Sequence, residues 1–199
     1  MKPTRLLASA ALASSLTAGA ALPAVAQPAA PRTTAAAAAA AETIAIPSAQ
    51  ASAKKIAKNN GITLLNHHIS GVKDARSTAK ANIRDAARGK KAYTSRYAHP
   101  RGAKVALNAK MLHAMQQLNA KKRFTFRVTA IAGSKHSPNS AHYKGRAFDV
   151  DIVNGSYVST RGPGLTKAKR LMKACKSYGA KLVLGPGHSG HSTHVHCQW

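Results

Sequence analysis

Residues 145–155 read GRAFDVDIVNG, apolar and acidic side chains taking turns along the segment. In an extended chain successive side chains point to opposite faces, so Phe148, Val150 and Ile152 share one face and Asp149 and Asp151 the other. Such a segment is a strand with a core on one side only. The acid pair is the sharper constraint. The chain has five Asp and Glu residues in all, and two of them stand here among large apolar neighbours, where a carboxylate needs a partner.

The remaining periodic segments suggest what surrounds this strand. VALNAKMLHAMQQLNAKK places Leu107, Met111, Met115 and Leu118 on one helical face, with His113 off that stripe. RFTFRVTAIAG alternates Phe124, Phe126, Val128 and Ala130 against Thr125, Arg127 and Thr129, a second half-buried strand. LTKAKRLMKACKSYG carries Leu165, Ala168, Met172 and Cys175 at helical spacing and closes on Gly179. AKLVLG and STHVHCQW are two further short strands, and ARSTAKANIRDAARG is an Ala-rich helix candidate. Strands joined by hairpin-length loops and mixed with a few helices predict an α+β domain, a small, mostly antiparallel sheet packed with helices.

The N-terminal part reads differently. Lys2 and Arg5 precede the apolar run LLASAALASSLTAGAAL, and AVA at 24–26 offers a cleavage site before Gln27, the pattern of a signal peptide over 1–26. The Pro/Ala/Thr-rich stretch 27–55 has too few large apolar residues to form a core and reads as a linker. That leaves 56–199 as one domain of ordinary size. A secreted location follows. The formal charge is +26; losing Lys2 and Arg5 leaves +24, a charge that draws the protein to polyanions. For a secreted bacterial protein these are anionic cell-wall polymers rather than nucleic acid, and a monomer is expected. Two cysteines in an oxidising compartment, Cys175 and Cys197, read as one disulfide that ties a late helix to the last strand.

Histidines complete the pattern. His194 and His196 share a face of the last strand, Asp149 and Asp151 share a face of theirs, and His142 lies on the loop just before. Two neighbouring strands would aim both pairs into one cleft. Two histidines and a carboxylate, with a fourth position left for water, is a common donor set for catalytic zinc. His67, His68, His99 and His188, alone in loops, read as solvated.

These residues carry a resemblance. SAHYKGRAFDVD followed by HVHC resembles the His-x-x-Gly-x-Ala-x-Asp and His-x-His motifs of the zinc D-Ala-D-Ala carboxypeptidases, whose fold and metal site are shared by the animal hedgehog signalling domain. LGPGHSGHSTHVHCQW looks closer still to actinobacterial secreted members of that group. The resemblance covers about residues 60–199 and implies the hedgehog/DD-peptidase-like fold, Zn2+ as cofactor and peptidoglycan peptides as substrate. It implies His142, Asp149 and His196 as zinc ligands, His194 as a non-ligand lining the site, and His136 as a further residue facing the metal. Ser140 fits the Ser-x-His of the family, and the small residues Gly145 and Ala147 would let the backbone pass close to the site. Two positions depart from the pattern. GHSGHST holds no acid where many members place a general base, which leaves His194, His136 and Asp151 as candidates for proton transfer. AIAGSK stands where a substrate-carboxylate arginine is usual, which leaves Arg127 and Lys135, beside Ser140, as candidates for substrate binding.

The reading is a secreted zinc metallopeptidase of cell-wall peptides, most simply a D-Ala-D-Ala carboxypeptidase. Its rivals are a non-catalytic, zinc-stabilised wall-binding module and a basic polyanion-binding protein whose histidines are incidental.

Overall fold

Architecture is taken from a computed structural model, which describes residues 45–199. The expected signal peptide and most of the expected linker lie outside the described residues. The described residues form one unit.

Helix α1 (Ala49–Ala57) opens on Ser48, whose Oγ accepts the Ala51 N–H at 3.1 Å, a cap that satisfies one of the free donors of the first turn. Ala53 and Ile56 are buried, and α1 packs on α2 (Ala79–Ala87) and α3 (Ala109–Ala120). Packed structure is therefore already present at Ser48, inside the stretch 27–55 read as a linker. Ala49, Ser52 and Ala53 allow close helix approach, but residues this small leave almost no hydropathy signal. Thr78 and Asn108 cap α2 and α3 in the same way.

The main sheet has the order β1 (Ile62–Leu64), β4 (Phe126–Ala130), β5 (Ala147–Val153), β8 (Val195–Gln198), β7 (Leu182–Leu184), with β6 (Ser156–Tyr157) paired to β5. β1 runs parallel to β4 and the other pairs are antiparallel, so the sheet is mixed and, as expected, mostly antiparallel. A separate hairpin joins β2 (Ala92–Tyr93) to β3 (Lys104–Val105). Asn154 and Gly155, both at positive φ, make the tight turn between β5 and β6, as an Asn-Gly pair is suited to do.

One sheet face builds the core. Phe126, Val128, Phe148, Val150, Val195 and Cys197 pack there with Met111, Met115 and Leu118 of α3 and Leu171 of α4 (Gly162–Ser177). The strict alternation expected for β5 fails at one place. Val128 pairs with Val150 and Phe126 with Val153, so Asp151 and Ile152 together oppose Arg127. This bulge turns Val153 into the core and leaves Ile152 only half-buried, because one extra residue shifts every later side chain to the other face.

The expected stripe of α4 is rotated as well. Gly164, Ala168, Leu171, Ala174 and Cys175 are buried, with Leu165 and Met172 at the margin. Any side chain at Gly164 would run into the Tyr157 carbonyl and Ser159, so the helix approaches on its smallest residue. Cys175 of α4 is disulfide-bonded to Cys197 of β8, with Cα atoms 6.3 Å apart. Among the described residues no helix is long and apolar enough to cross a membrane.

Candidate metal centre

The sheet face opposite the core carries the polar residues of β5 and β8. Asp149 and His196 are direct cross-strand partners, and side chains so placed meet. His142 arrives from a single 3-10 turn, His142–Lys144. The Ser140 Oγ accepts the His142 N–H at 3.3 Å, and the Gly145 N–H closes the turn on the His142 carbonyl at 2.8 Å. Gly145 sits at φ +66°, where a Cβ would also strike the Ala106 carbonyl. Its smallness thus serves the turn and its packing on Ala106.

The imidazole of His142 is fixed in tautomer. Its Nδ1 lies 2.7 Å from the Ile131 carbonyl, and a carbonyl only accepts, so Nδ1 carries the proton and Nε2 presents a lone pair. Asn82 holds that carbonyl in place from behind, its Oδ1 accepting the N–H of the next residue, Ala132, at 2.8 Å. A histidine oriented through its second nitrogen by a backbone carbonyl is the usual support of a metal ligand.

Three donor atoms then converge. His142 Nε2 lies 3.1 Å from Asp149 Oδ1 and 3.1 Å from His196 Nδ1, which is itself 2.9 Å from Asp149 Oδ1. All three residues are buried. A lone-pair nitrogen held this close to a carboxylate oxygen repels it unless a cation or proton lies between them. The spacing fits three donors around one ion with bonds of about 2.0–2.2 Å. Burial opposes the charge on Asp149, yet with a proton in that gap the charge and hydrogen bond of His142, with the hydrogen bond of His196, hold its carboxyl well below the usual carboxylate range. The site therefore keeps an anionic donor.

His136 joins this group. Its donor atom lies within 4.8 Å of those of His142 and Asp149, so the three could hold a metal ion. Burial, reinforced by His142, pushes the His136 pKa down to about 3. Its Nε2 is buried without a hydrogen-bond partner. A lone pair orphaned beside a donor cluster is what a site built for a ligand leaves behind.

Around the donors opens a cleft of about 650 Å³, adjoined by a smaller hollow of about 380 Å³ that shares Lys135, His136, Asp149 and His194 with it. His194 stands one residue before β8, half-buried in the cleft wall with its ring centroid 4.8 Å from that of His191. Burial lowers its pKa against the pull of Asp149, so its imidazole is neutral near pH 7.

The other sequence candidates fall differently. Arg127 and Asp151 occupy each other: Arg127 Nε and Nη2 donate to the two oxygens of Asp151 at 2.9 and 2.6 Å. Arg127, one candidate for a substrate carboxylate, and Asp151, one candidate for proton transfer beside His194 and His136, are therefore engaged with each other. Ser140 lines the cleft, although its Oγ already serves the His142 turn. Lys135 is exposed on the rim. The sequence reading missed three more cations of the wall, Lys144, Arg146 and Lys181. Lys144 and Arg146 stand inside the KGRAFD segment, where their closeness to His142 and Asp149 was the available signal. His68, expected to be solvated, is buried, with Nε2 3.1 Å from both the Asp74 carbonyl and Ser77 Oγ.

The four carboxylates among the described residues are all engaged: Asp74 with Arg76, Asp85 with Arg84, Asp151 with Arg127, and Asp149 with the two histidines. The fold and site together define an α+β domain with a buried His/His/Asp cluster able to hold a metal. Compared with models of protein families, with curated proteins and with solved structures, the chain shows no match.

Proposed function

We propose that this protein is a secreted zinc metallopeptidase acting on bacterial cell-wall peptides, most simply as a D-Ala-D-Ala carboxypeptidase. The observation that supports it is the triangle of His142 Nε2, Asp149 Oδ1 and His196 Nδ1 on the floor of an open cleft. Zinc held by these residues would polarise a peptide carbonyl and lower the pKa of a bound water towards neutrality. The Ile131 carbonyl keeps the proton of His142 away from the donor side. Lys135 and Arg146 on the wall attract and orient the terminal carboxylate of a peptide. With every nearby carboxylate engaged, His194 is the best-placed proton acceptor, because a neutral, half-buried imidazole suits proton transfer near pH 7. Its basic surface keeps the enzyme on the anionic wall.

A second reading, a zinc-stabilised wall-binding module without activity, is favoured by the same engagement of all four carboxylates. Digestion of purified muropeptides, followed by mass spectrometry with and without chelator, separates the two. Chelator-sensitive loss of a single terminal D-alanine supports the carboxypeptidase, internal cleavage an endopeptidase, and unchanged muropeptides the binding module.

A further inference from the structure

Away from the metal cleft, and sharing no lining residue with it, lies a hollow of about 520 Å³ walled by Arg76, Arg84, Lys90, Lys91, Tyr93 and Lys104, with Asp85 also in its wall. Two of these cations have acidic partners: Arg84 donates to Asp85 at 3.3 Å and Arg76 lies 3.4 Å from Asp74. The other three, Lys90, Lys91 and Lys104, have none among the described residues.

The hollow is held in shape by features that leave its charge available. The Lys104 Nζ lies 4.7 Å and the Arg76 guanidinium 5.1 Å from the centre of the Tyr93 ring. An aromatic ring attracts a cation without neutralising it, so the Lys104 charge is positioned yet remains open to an external anion, while Arg76 also stands beside Asp74. Lys104 and Tyr93 are directly paired across the β2–β3 hairpin. Helix α2 ends on Gly89 at φ +74°, with the Lys90 N–H bonded back to the Asp85 carbonyl at 2.9 Å. That closing turn sets Lys90 and Lys91 beside the hairpin.

We propose that this hollow is a binding site for the phosphates of a phosphodiester-linked polymer, of the poly(glycerol phosphate) kind that bacterial walls present. Three lysines without acidic partners and two arginines in the wall of one hollow suit several spaced anionic groups better than one. The polymer source rests on the wall-directed reading above; the hollow itself does not depend on the metal centre.

The test uses the mature chain and a synthetic poly(glycerol phosphate) oligomer, with an oligodeoxynucleotide of equal phosphate count and inorganic phosphate as the other arms. Lys91→Gln/Lys104→Gln is expected to weaken oligomer binding about tenfold. Lys121→Gln/Lys122→Gln, which removes the same charge elsewhere, is expected to change it less than about twofold. Tyr93→Leu, which removes no charge at neutral pH, should also weaken it, and the single Lys91→Gln keeps the test valid if the double variant misfolds. Equal losses in both double variants would mean diffuse attraction and overturn the site. Equal affinity for the oligonucleotide, or for inorganic phosphate alone, would overturn the polymer assignment. Muropeptide cleavage is read on the same samples. Oligomer binding by a chain that cleaves nothing supports this site and sinks the peptidase reading, and cleavage without oligomer binding does the reverse.

Discussion

The ring of His136 lies flat on the ring of His142, with centroids 3.8 Å apart and planes 6° from parallel. An imidazole binds through a lone pair in its own plane, so parallel stacked rings aim their nitrogens side by side rather than at one point. The stack therefore favours the triangle of His142, Asp149 and His196 over the set His136, His142 and Asp149, which could also hold an ion. His136→Phe, which keeps the stack, is expected to retain near-unit zinc after dialysis. His142→Ala is expected to lose it, because one of three donors is gone and the other two face an empty side. Metal analysis of both variants decides, and equal zinc loss in the two would make His136 a ligand.

His194→Ala should keep its zinc and lose about 10²-fold or more in kcat on muropeptides, the scale of removing a proton-transfer group. Asp151→Asn should change kcat far less, because the Asp151 carboxylate is already held by Arg127. Turnover of both variants under identical zinc loading checks the assignment, and a His194→Ala enzyme at wild-type rate passes the role to another group.

Arg127→Ala strands the Asp151 carboxylate in a buried position. The expected loss is about 1–3 kcal/mol by urea unfolding, the cost of a charged group left without its partner. Arg127→Leu combined with Asp151→Asn should recover a good part of it. Additive losses would show that the pair acts through something other than mutual satisfaction.

The Cys175–Cys197 bond closes a separation of 22 residues, for which the chain-entropy account gives about 3 kcal/mol. Cys175→Ser/Cys197→Ser should melt earlier by a corresponding amount. It should also bind zinc more weakly, because Cys197 follows His196 directly. Melting curves with and without added zinc read both effects, and an unchanged zinc affinity would separate the bond from the site.

Acidification should destabilise the fold in part through His68. Burial holds its folded pKa below the ordinary 6.5, with Asp74 opposing. The unfolded chain therefore takes up its proton first as the pH falls through about 6.5. Stability declines between that value and the lower folded one. His68→Gln should flatten the fall in urea midpoint between about pH 7.5 and pH 5. An unaltered slope would place the effect in other groups.

Alternation carried much of the architecture. Phe148 and Val150 face the core and Asp149 the cleft, as a period of two requires, and the close packing of Asp149, His142 and His196 follows from strands whose order the alternation could not name. The register failed at Ile152, since a bulge is set by the partner strand and leaves no mark on the local pattern. Helix α1 was hidden because Ala53 and Ser52 pack by being small. The Arg127–Asp151 pair was illegible for another reason: the pattern along one strand says nothing of its neighbour, and it takes the β4–β5 pairing with its bulge to bring the two side chains together. The basic hollow has the same origin, drawing Arg76, Lys91 and Lys104 from three separate segments of the chain.

Two donors of the triangle sit on β5 and β8, inside the sheet, while the third stands on a one-turn segment closed by the Gly145 N–H and the Ser140 hydroxyl. Paired strands open only when much of the fold opens, whereas a single turn has few backbone bonds to break even where, as here, its side chains are buried. Ion exchange at this centre should therefore run through the His142 turn, which acts as the latch, and a variant that loosens the turn would speed metal release without lowering the melting point.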